Sequence, residues 1–303
     1  MPLSIKQVRY FIAAADAGQV SQAAIELNVS QSAITAAIKQ LEGDLAVRLF
    51  DRQSTGVALT AEGTRFLQHA RIIMAAVNEA MSAPLTEDMA HAGHVRIGVT
   101  YTVAGYFMPR HYARFLRNYP RISVELRELP REAIERGLVD RTLDIAVMLV
   151  SNLADTMRIA SETLVKSRRR LWLPVEHPLL TSENVTLADI AEEPYVMLTV
   201  DEAMDTAGKY WAKAGLEPRM IVKTSSVEAV RSMVAAGMGV TVLSDMVYRP
   251  WSLEGQRIET RNVIGDIPTM DVGLAWNRAV QQGPATRVFH DFMSMTFSGA
   301  AAM

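Results

Sequence analysis

Three apolar stripes of helical period crowd into the first 45 residues, each too short to stand as a helix alone in water. Ser4-Ile5-Lys6-Gln7 opens the first as a capping box, Val8, Phe11, Ile12 and Ala15 form its inner face, and Gly18 stops it. Ser21 is placed to cap a second helix, whose small Ala23 and Ala24, with Leu27, suit close packing. After a tight turn at Asn28-Val29, Ser30 caps a third helix with Ala33, Ile34, Ala37, Ile38 and Leu41 inside and Gln31, Ser32, Thr35 and Lys39 mostly outside. Two short helices joined by so tight a turn spell a helix-turn-helix.

Residues 51–59 follow as two short extended pieces separated by polar and Gly residues, with Val57 and Leu59 on one face, which reads as a wing. Thr60 then caps a longer helix in which Phe66, Ala70, Ile73, Val77 and Ala80 recur at alternating spacings of four and three. Such a seam has to be covered. A second copy of the chain is the expected cover; the alternative is the protein's own domain. Pro84 ends this helix, and the small, polar stretch 82–93, with Glu87 and Asp88, reads as a hinge.

From Val95 the period alternates between strand and helix. Val95–Val99, Val124–Leu126 and Leu143–Met148 read as strands, with helices over Phe107–Leu116 and Ala133–Val139. A second half follows: strands at Leu171–Leu173, Met220–Val222 and Val240–Leu243, with helices over Ala203–Ala214 and Val227–Ala236. The chain returns through a strand at Met270–Ala275 and a last helix over Ala285–Phe297. The fold class expected is α+β and α/β: an N-terminal winged helix-turn-helix at 1–60, a linker helix and hinge at 61–92, and a bilobed α/β effector domain at 93–303. Lobe I takes about 93–166 and 268–303, and lobe II about 167–267.

At 303 residues, 49% hydrophobic, 21% charged and net −2, the chain falls among ordinary globular proteins of two or three domains. No run reaches the ~18 apolar residues of a membrane helix. Lys6, Arg9 and Asp16 interrupt the apolar run around Phe11, so no secretory signal is expected and the location expected is cytoplasmic. The absence of Cys removes disulfides, thiolate nucleophiles and most zinc sites. No cofactor, metal site or catalytic residue is expected: Gly237-Met238-Gly239 follows a helix and lacks a third Gly, Ser244 sits in no nucleophile elbow, and His91 and His94 have no further ligands nearby.

Several strings resemble the LysR-type transcriptional regulators. They are Val8-Arg9-Tyr10-Phe11, Ser21-Gln22-Ala23-Ala24, Leu27 through Thr35, Ile38-Lys39-Gln40-Leu41-Glu42, Arg48-Leu49-Phe50-Asp51-Arg52, Leu59-Thr60 and Gly63. Tyr119-Pro120, Leu143-Asp144-Ile145-Ala146, His177-Pro178-Leu179, Leu187 to Pro194 and Val234 to Val240 follow in the family's order. The resemblance implies a winged helix-turn-helix and a dimerising linker helix. It also implies a periplasmic-binding-protein-like domain whose small ligand alters DNA contacts, usually within a tetramer. Two features depart from it. Ala36, Thr55 and Ala58 stand where many members carry cations, and residues 1–58 balance Lys6, Arg9, Lys39, Arg48 and Arg52 against Asp16, Glu26, Glu42, Asp44 and Asp51. The electrostatic share of DNA affinity should be correspondingly small.

On double-stranded promoter DNA, Gln31, Ser32 and Thr35 are the candidates for base edges, since Gln pairs bidentately with adenine and a Thr methyl packs on thymine. Ser21, Lys39 and Arg52 are phosphate candidates, with Ser30 offering backbone N–H groups at its helix start. For Ser21 and Ser30 the alternative is capping alone, and for Arg52 an ion pair with Asp44 or Asp51.

In the cleft, hydroxyls at strand ends and helix starts suit a small carboxylate: Thr100, Tyr101 and Thr102 after the first strand, Thr199, Val200 and Asp201 before the helix of the second lobe, and Thr224, Ser225 and Ser226 before the next helix. Arg131 is a candidate cation, and Met148 and Leu149 candidate apolar lining. The alternative for each hydroxyl is helix capping, and for the Met residues core filling. An aromatic or aliphatic ligand with at most one acidic group fits this lining. Phe66, Ala70, Ile73, Val77 and Ala80 are the dimerisation candidates. A homo-oligomer, most simply a dimer of dimers, is expected, with RNA polymerase a further candidate partner and no membrane contact. A ligand-independent DNA binder is the rival reading. Arg168-Arg169-Arg170 reads as a solvated or oligomer-contact strand edge, with a DNA or partner contact the alternative.

Overall fold

The computed structural model describes residues 3–27, 29–53, 56–82 and 92–297. Two compact units divide the chain, Met1–Asp88 with Asp291–Met303, and Met89–His290. The hinge expected at 82–93 lies mostly outside the described residues, as do Asn28, Thr55, His91 and the side chains of Arg52 and Ala80.

The first unit comprises α1 (Ile5–Ala17), α2 (Val20–Glu26), α3 (Gln31–Leu45), the hairpin β1 (Phe50–Gln53) and β2 (Gly56–Leu59), and α4 (Ala61–Ser82). The Ser4/Gln7 capping box forms, and Gly18 ends α1 in the left-handed region at φ 66°. Ser21 does not cap α2. The extended residue before that helix is Gln19, so Ser21 lies in its first turn. Ser30 does cap α3, accepting from the Ala33 N–H at 3.2 Å. The core gathers Val8, Phe11, Ala13, Ala23, Ile34, Leu41 and Leu49, with the Phe11 ring 5.1 Å from Phe50 and 5.0 Å from Phe66.

That core corrects the seam on α4. Ala70 is fully buried in it, and Phe66 and Ile73 pack against it, so these residues do have an apolar surface within their own domain. Three short helices cannot exclude water from Phe11 by themselves, and α4 supplies the missing wall. Of the expected seam, Val77 stays half-buried outside that cluster.

The second unit begins with β3 (Gly93–Val99), α5 (Tyr101–Tyr106), α6 (Met108–Asn118), β4 (Ile122–Glu128), α7 (Arg131–Val139), β5 (Ile145–Leu149) and β6 (Ile159–Ser167). It continues through β7 (Arg169–Pro174), α8 (Leu187–Ala191), β8 (Pro194–Leu198), α9 (Ala203–Lys213), β9 (Arg219–Thr224), α10 (Val227–Ala235), β10 (Thr241–Ser244), β11 (Ile258–Arg261), β12 (Met270–Asn277) and α11 (Pro284–Phe297), whose last turns fall in the first unit. Lobe I is one sheet in the order β4-β3-β5-β12-β6, with β3 parallel to β4 and β5, and β12 antiparallel to β5 and β6. β12 arrives only after the chain has built lobe II.

Lobe II departs from the expected second βαβαβ half. β7 lies antiparallel between β10 and β11, while β8 and β9 pair in parallel across α9 and a parallel bridge ties Tyr195 of β8 to Val240. β7 is therefore a central strand, and the Arg168-Arg169-Arg170 run is no sheet edge. Arg169 donates to the Pro268 carbonyl and Arg170 to Asp245 at 2.5 Å. β8 was hidden behind Pro194 and β6 among its polar residues.

His111, on α6, is 5% exposed and accepts from the Arg110 Nε at 3.0 Å. Burial, with the charges of Arg110 and Arg114, lowers its pKa to about 3. An unfolded imidazole takes its proton near 6.5, so between about 3 and 6.5 the unfolded state binds more protons and stability rises with pH. Denaturant titrations of wild type should lose up to about 1.4 kcal/mol per pH unit of acidification in that window. The H111Q variant should lose less; parallel pH profiles would refute the assignment.

Candidate DNA-reading surface and effector cleft

On the reading helix, Gln31, Ser32, Ala36 and Lys39 are exposed, and Thr35 is half-buried. The Thr35 hydroxyl donates to the Gln31 carbonyl at 2.9 Å, which ties it to its own helix and leaves oxygen lone pairs for a base donor. Ser32 and Ser30 share a hydroxyl contact at 3.0 Å. Ser30 is thus used as a cap, while Ser21 is exposed in the first turn of α2, where Gln19 holds the N-cap position without a side-chain capping bond. Ala36 leaves a bare position between Thr35 and Lys39.

Two residues that sequence reasoning counted only as charge hold this surface in place. Glu42, on α3, accepts the backbone N–H groups of Leu49 at 2.7 Å and Phe50 at 3.1 Å, fixing the wing's first strand to the reading helix. Asp16 pairs with Arg71 at 2.6 Å, joining α1 to α4. Gly56 in the wing admits no side chain, since a Cβ there would lie 2.3 Å from the Gly18 carbonyl oxygen, and Val57 donates to that oxygen at 2.8 Å.

In the second unit, the carboxyl ends of β3 and β5 meet lobe II. Thr100 is 1% exposed at the start of α5, caps nothing, and its hydroxyl has no partner among the described residues. Thr102 is 3% exposed, and both its N–H, at 2.7 Å, and its hydroxyl, at 2.5 Å, donate to one carboxylate oxygen of Asp201 from lobe II. Tyr101 is exposed beside them. Asp201 and Glu202 form consecutive left-handed residues at φ 50° and 55°, a conformation that costs an L-residue roughly 1–2 kcal/mol each.

Arg131 is already spoken for. It pairs with Glu202 at 3.2 Å, Glu135 at 3.0 Å and Glu132 at 3.1 Å, and although burial opposes its charge, the Glu135 and Glu202 carboxylates hold its pKa above the ordinary value. Asn152 joins the same crossing by donating to the Asp201 carbonyl and to Glu202, each at 3.2 Å. Nearby, Tyr106 of lobe I donates to Glu228 of lobe II at 2.7 Å, and burial and that carboxylate push its pKa up to about 12. Glu228 in turn pairs with Arg231, which is 2% exposed.

The remaining cleft candidates divide. Met148 is fully buried in the lobe I core with Ile134, Leu138, Leu143 and Ala146, so it is core filler and not lining. Leu149 is buried at the same strand end. Thr199 donates its N–H to Thr224 at 2.9 Å, and Val200 packs on the lobe II core, so both join elements within that lobe. Ser226 caps α10 through the Ala229 N–H at 3.1 Å, whereas Ser225 stays exposed. Glu202, Asn152, Tyr106 and Glu228 were not singled out by the sequence, and Asp201 stood out only as the residue after Thr199 and Val200 at a helix start. The only available signal was the acidic pair entering α9, which reads as a helix start until its backbone conformation is known.

A winged helix-turn-helix with an exposed polar reading face, followed along the chain by a two-lobed domain with buried hydroxyls where the lobes meet, is the arrangement of a DNA-binding regulator. Residues 5–64 match the bacterial regulatory helix-turn-helix proteins of the lysR family, and residues 90–298 match the LysR substrate binding domain. The chain belongs to the LysR family of DNA-binding transcriptional regulators. It is 28% identical to the transcriptional dual regulator GltC of Bacillus subtilis, covering 98% of each chain. It is likewise 28% identical to the RuBisCO operon transcriptional regulator of Allochromatium vinosum, covering 97% of this chain and 96% of that one. Among solved structures it resembles HinK, a LysR family transcriptional regulator from Pseudomonas aeruginosa, at TM-score 0.64 and 26% identity, over 98% of this chain and 99% of that one.

The bare Ala36 yields a direct test of the weak electrostatics. Ala36→Arg adds one cation beside the reading residues, and the slope of log affinity against log salt concentration should steepen by about 0.9. An unchanged slope in fluorescence anisotropy would place residue 36 away from the phosphates.

Proposed function

We propose that this regulator binds double-stranded promoter DNA in the cytoplasm as a homo-oligomer, a dimer of dimers. A small aromatic or aliphatic carboxylate entering between its lobes changes its action on transcription. Gln31, Ser32 and Thr35 meet base edges, while Ser21, Lys39 and Arg52, with the N–H groups that follow Ser30, grip phosphates. Val77 and the exposed Ile72 on α4 contribute to pairing with a second copy, and RNA polymerase is a further partner at the promoter.

The observation that carries the effector reading is Thr100. A hydroxyl in a residue 1% exposed and without a partner is costly to leave so, and it stands two residues from the donors of Thr102. A ligand carboxylate supplies the missing acceptor. The second reading, a regulator that needs no ligand, draws support from Asp201, which already holds Thr102.

Two measurements test these assignments. In fluorescence anisotropy on the native upstream DNA, Gln31→Ala should cost about 1–3 kcal/mol and relax discrimination at one base pair, with Thr35→Ala acting in the same direction. Wild-type affinity in both variants would remove the base-reading assignment. In a thermal-shift series on the full chain, an effector carboxylate at about a hundred times its Kd should add roughly 2.7 kcal/mol, or about 5–10 °C for the second unit's transition. A silent series of aromatic and aliphatic carboxylates would favour the ligand-independent reading.

A further inference from the structure

Away from the backbone crossings, the described hydrogen bonds between the lobes share a pattern: lobe II supplies the acceptors, chiefly carboxylates, and lobe I supplies donors. Asp201 takes the N–H and hydroxyl of Thr102, Glu202 takes the Arg131 guanidinium and the Asn152 amide, and Glu228 takes the Tyr106 hydroxyl. The two donors of Thr102 are those a ligand carboxylate would use, and one oxygen of Asp201 saturates both. Arg131, a lobe I cation at the same crossing, is likewise satisfied by carboxylates of the chain itself. The backbone is bent to achieve this, because Asp201 and Glu202 both adopt the left-handed region with no glycine between them.

We propose that Asp201 is a built-in stand-in for the effector carboxylate: it latches lobe II onto Thr102 when no ligand is present, and an incoming carboxylate binds by displacing it. The inference rests on the cleft being the effector site. Without ligand, the chain therefore holds the arrangement that an unlatched cleft would reach only with a carboxylate bound. An effector competes with a carboxylate whose local concentration is fixed by the fold, so its apparent affinity is set by the latch as well as by its own contacts. Thr100 marks the difference between the two anions, since Asp201 leaves its hydroxyl unpartnered and a ligand has that extra donor to gain.

The test is hydrogen–deuterium exchange of the α5 segment, residues 100–106, in the full-length protein. Removing the carboxylate with Asp201→Ala frees the Thr102 N–H and should speed exchange there by about ten- to a hundredfold. Sodium benzoate or sodium acetate, against sodium chloride at equal ionic strength, should restore slow exchange in D201A at concentrations that leave wild type unchanged. Adding Thr102→Val to D201A should blunt that rescue. T102V alone keeps the Asp201 contact to the backbone N–H and should raise exchange less than D201A, which keeps the latch testable if D201A folds poorly. Wild-type exchange rates over α5 in both D201A and T102V would overturn the latch. Faster exchange that neither benzoate nor acetate restores would leave the latch standing and sink the carboxylate effector instead.

Discussion

Lobe I cannot be closed until lobe II has been made. β12 lies between β5 and β6, pairs with both, and enters the sheet only after about a hundred residues have been spent on the other lobe. The two lobes are thus joined by two backbone crossings, one from Ser167 to Arg169 and one between Arg261 and Met270. The first is pinned by a buried polar knot in which the Ser244 hydroxyl donates to Ser167 at 2.7 Å and Met246 donates its N–H to the same oxygen at 3.0 Å. Lobe II is consequently anchored at its base. What decides how closely its far side approaches lobe I is a small set of side-chain bonds, with Asp201, Glu202 and Glu228 as their acceptors.

The DNA-reading unit solves a different problem, that of holding a short helix outward on a very small core. Phe11 of α1 lies in that core against Phe50 from the wing and Phe66 from α4, so three parts of the unit meet at one ring. The acidic residues that balance its cations are partly withdrawn from solvent competition. Glu42 is spent on backbone N–H groups and Asp16 on Arg71. Both carboxylates keep their charge, but Asp16 is balanced by Arg71, a cation outside residues 1–58, while α3 stays short of cations at Ala36.

The elements that local rules specify were legible in the sequence: the Ser4/Gln7 box, Gly18, the Ser30 cap, and the strands whose apolar residues alternate or run together. What could not be read was decided by tertiary context. Ser21 looks like a cap because Ser favours that position, but Gln19 is the residue left extended. Phe66, Ala70 and Ile73 look like a coiled-coil seam because a helix records only its own period and not what lies beside it. Met148 looks like pocket lining at a strand end, whereas β5 is covered on both faces. α5 went unseen because it is only six residues long and begins one residue after β3. The latch was hidden for a deeper reason, since no sequence rule places two consecutive acidic residues in the left-handed region.

That conformation has a consequence for how such a chain drifts over generations. Glycine at 201 or 202 would relax the backbone and, on folding stability alone, would be the favoured replacement. It would also delete the acceptor that spans the lobes. Selection for a sturdier fold and selection for a self-closing cleft therefore pull this loop in opposite directions. Under the proposed latch, a single substitution at 201 would turn a self-closing cleft into one that closes only on a ligand.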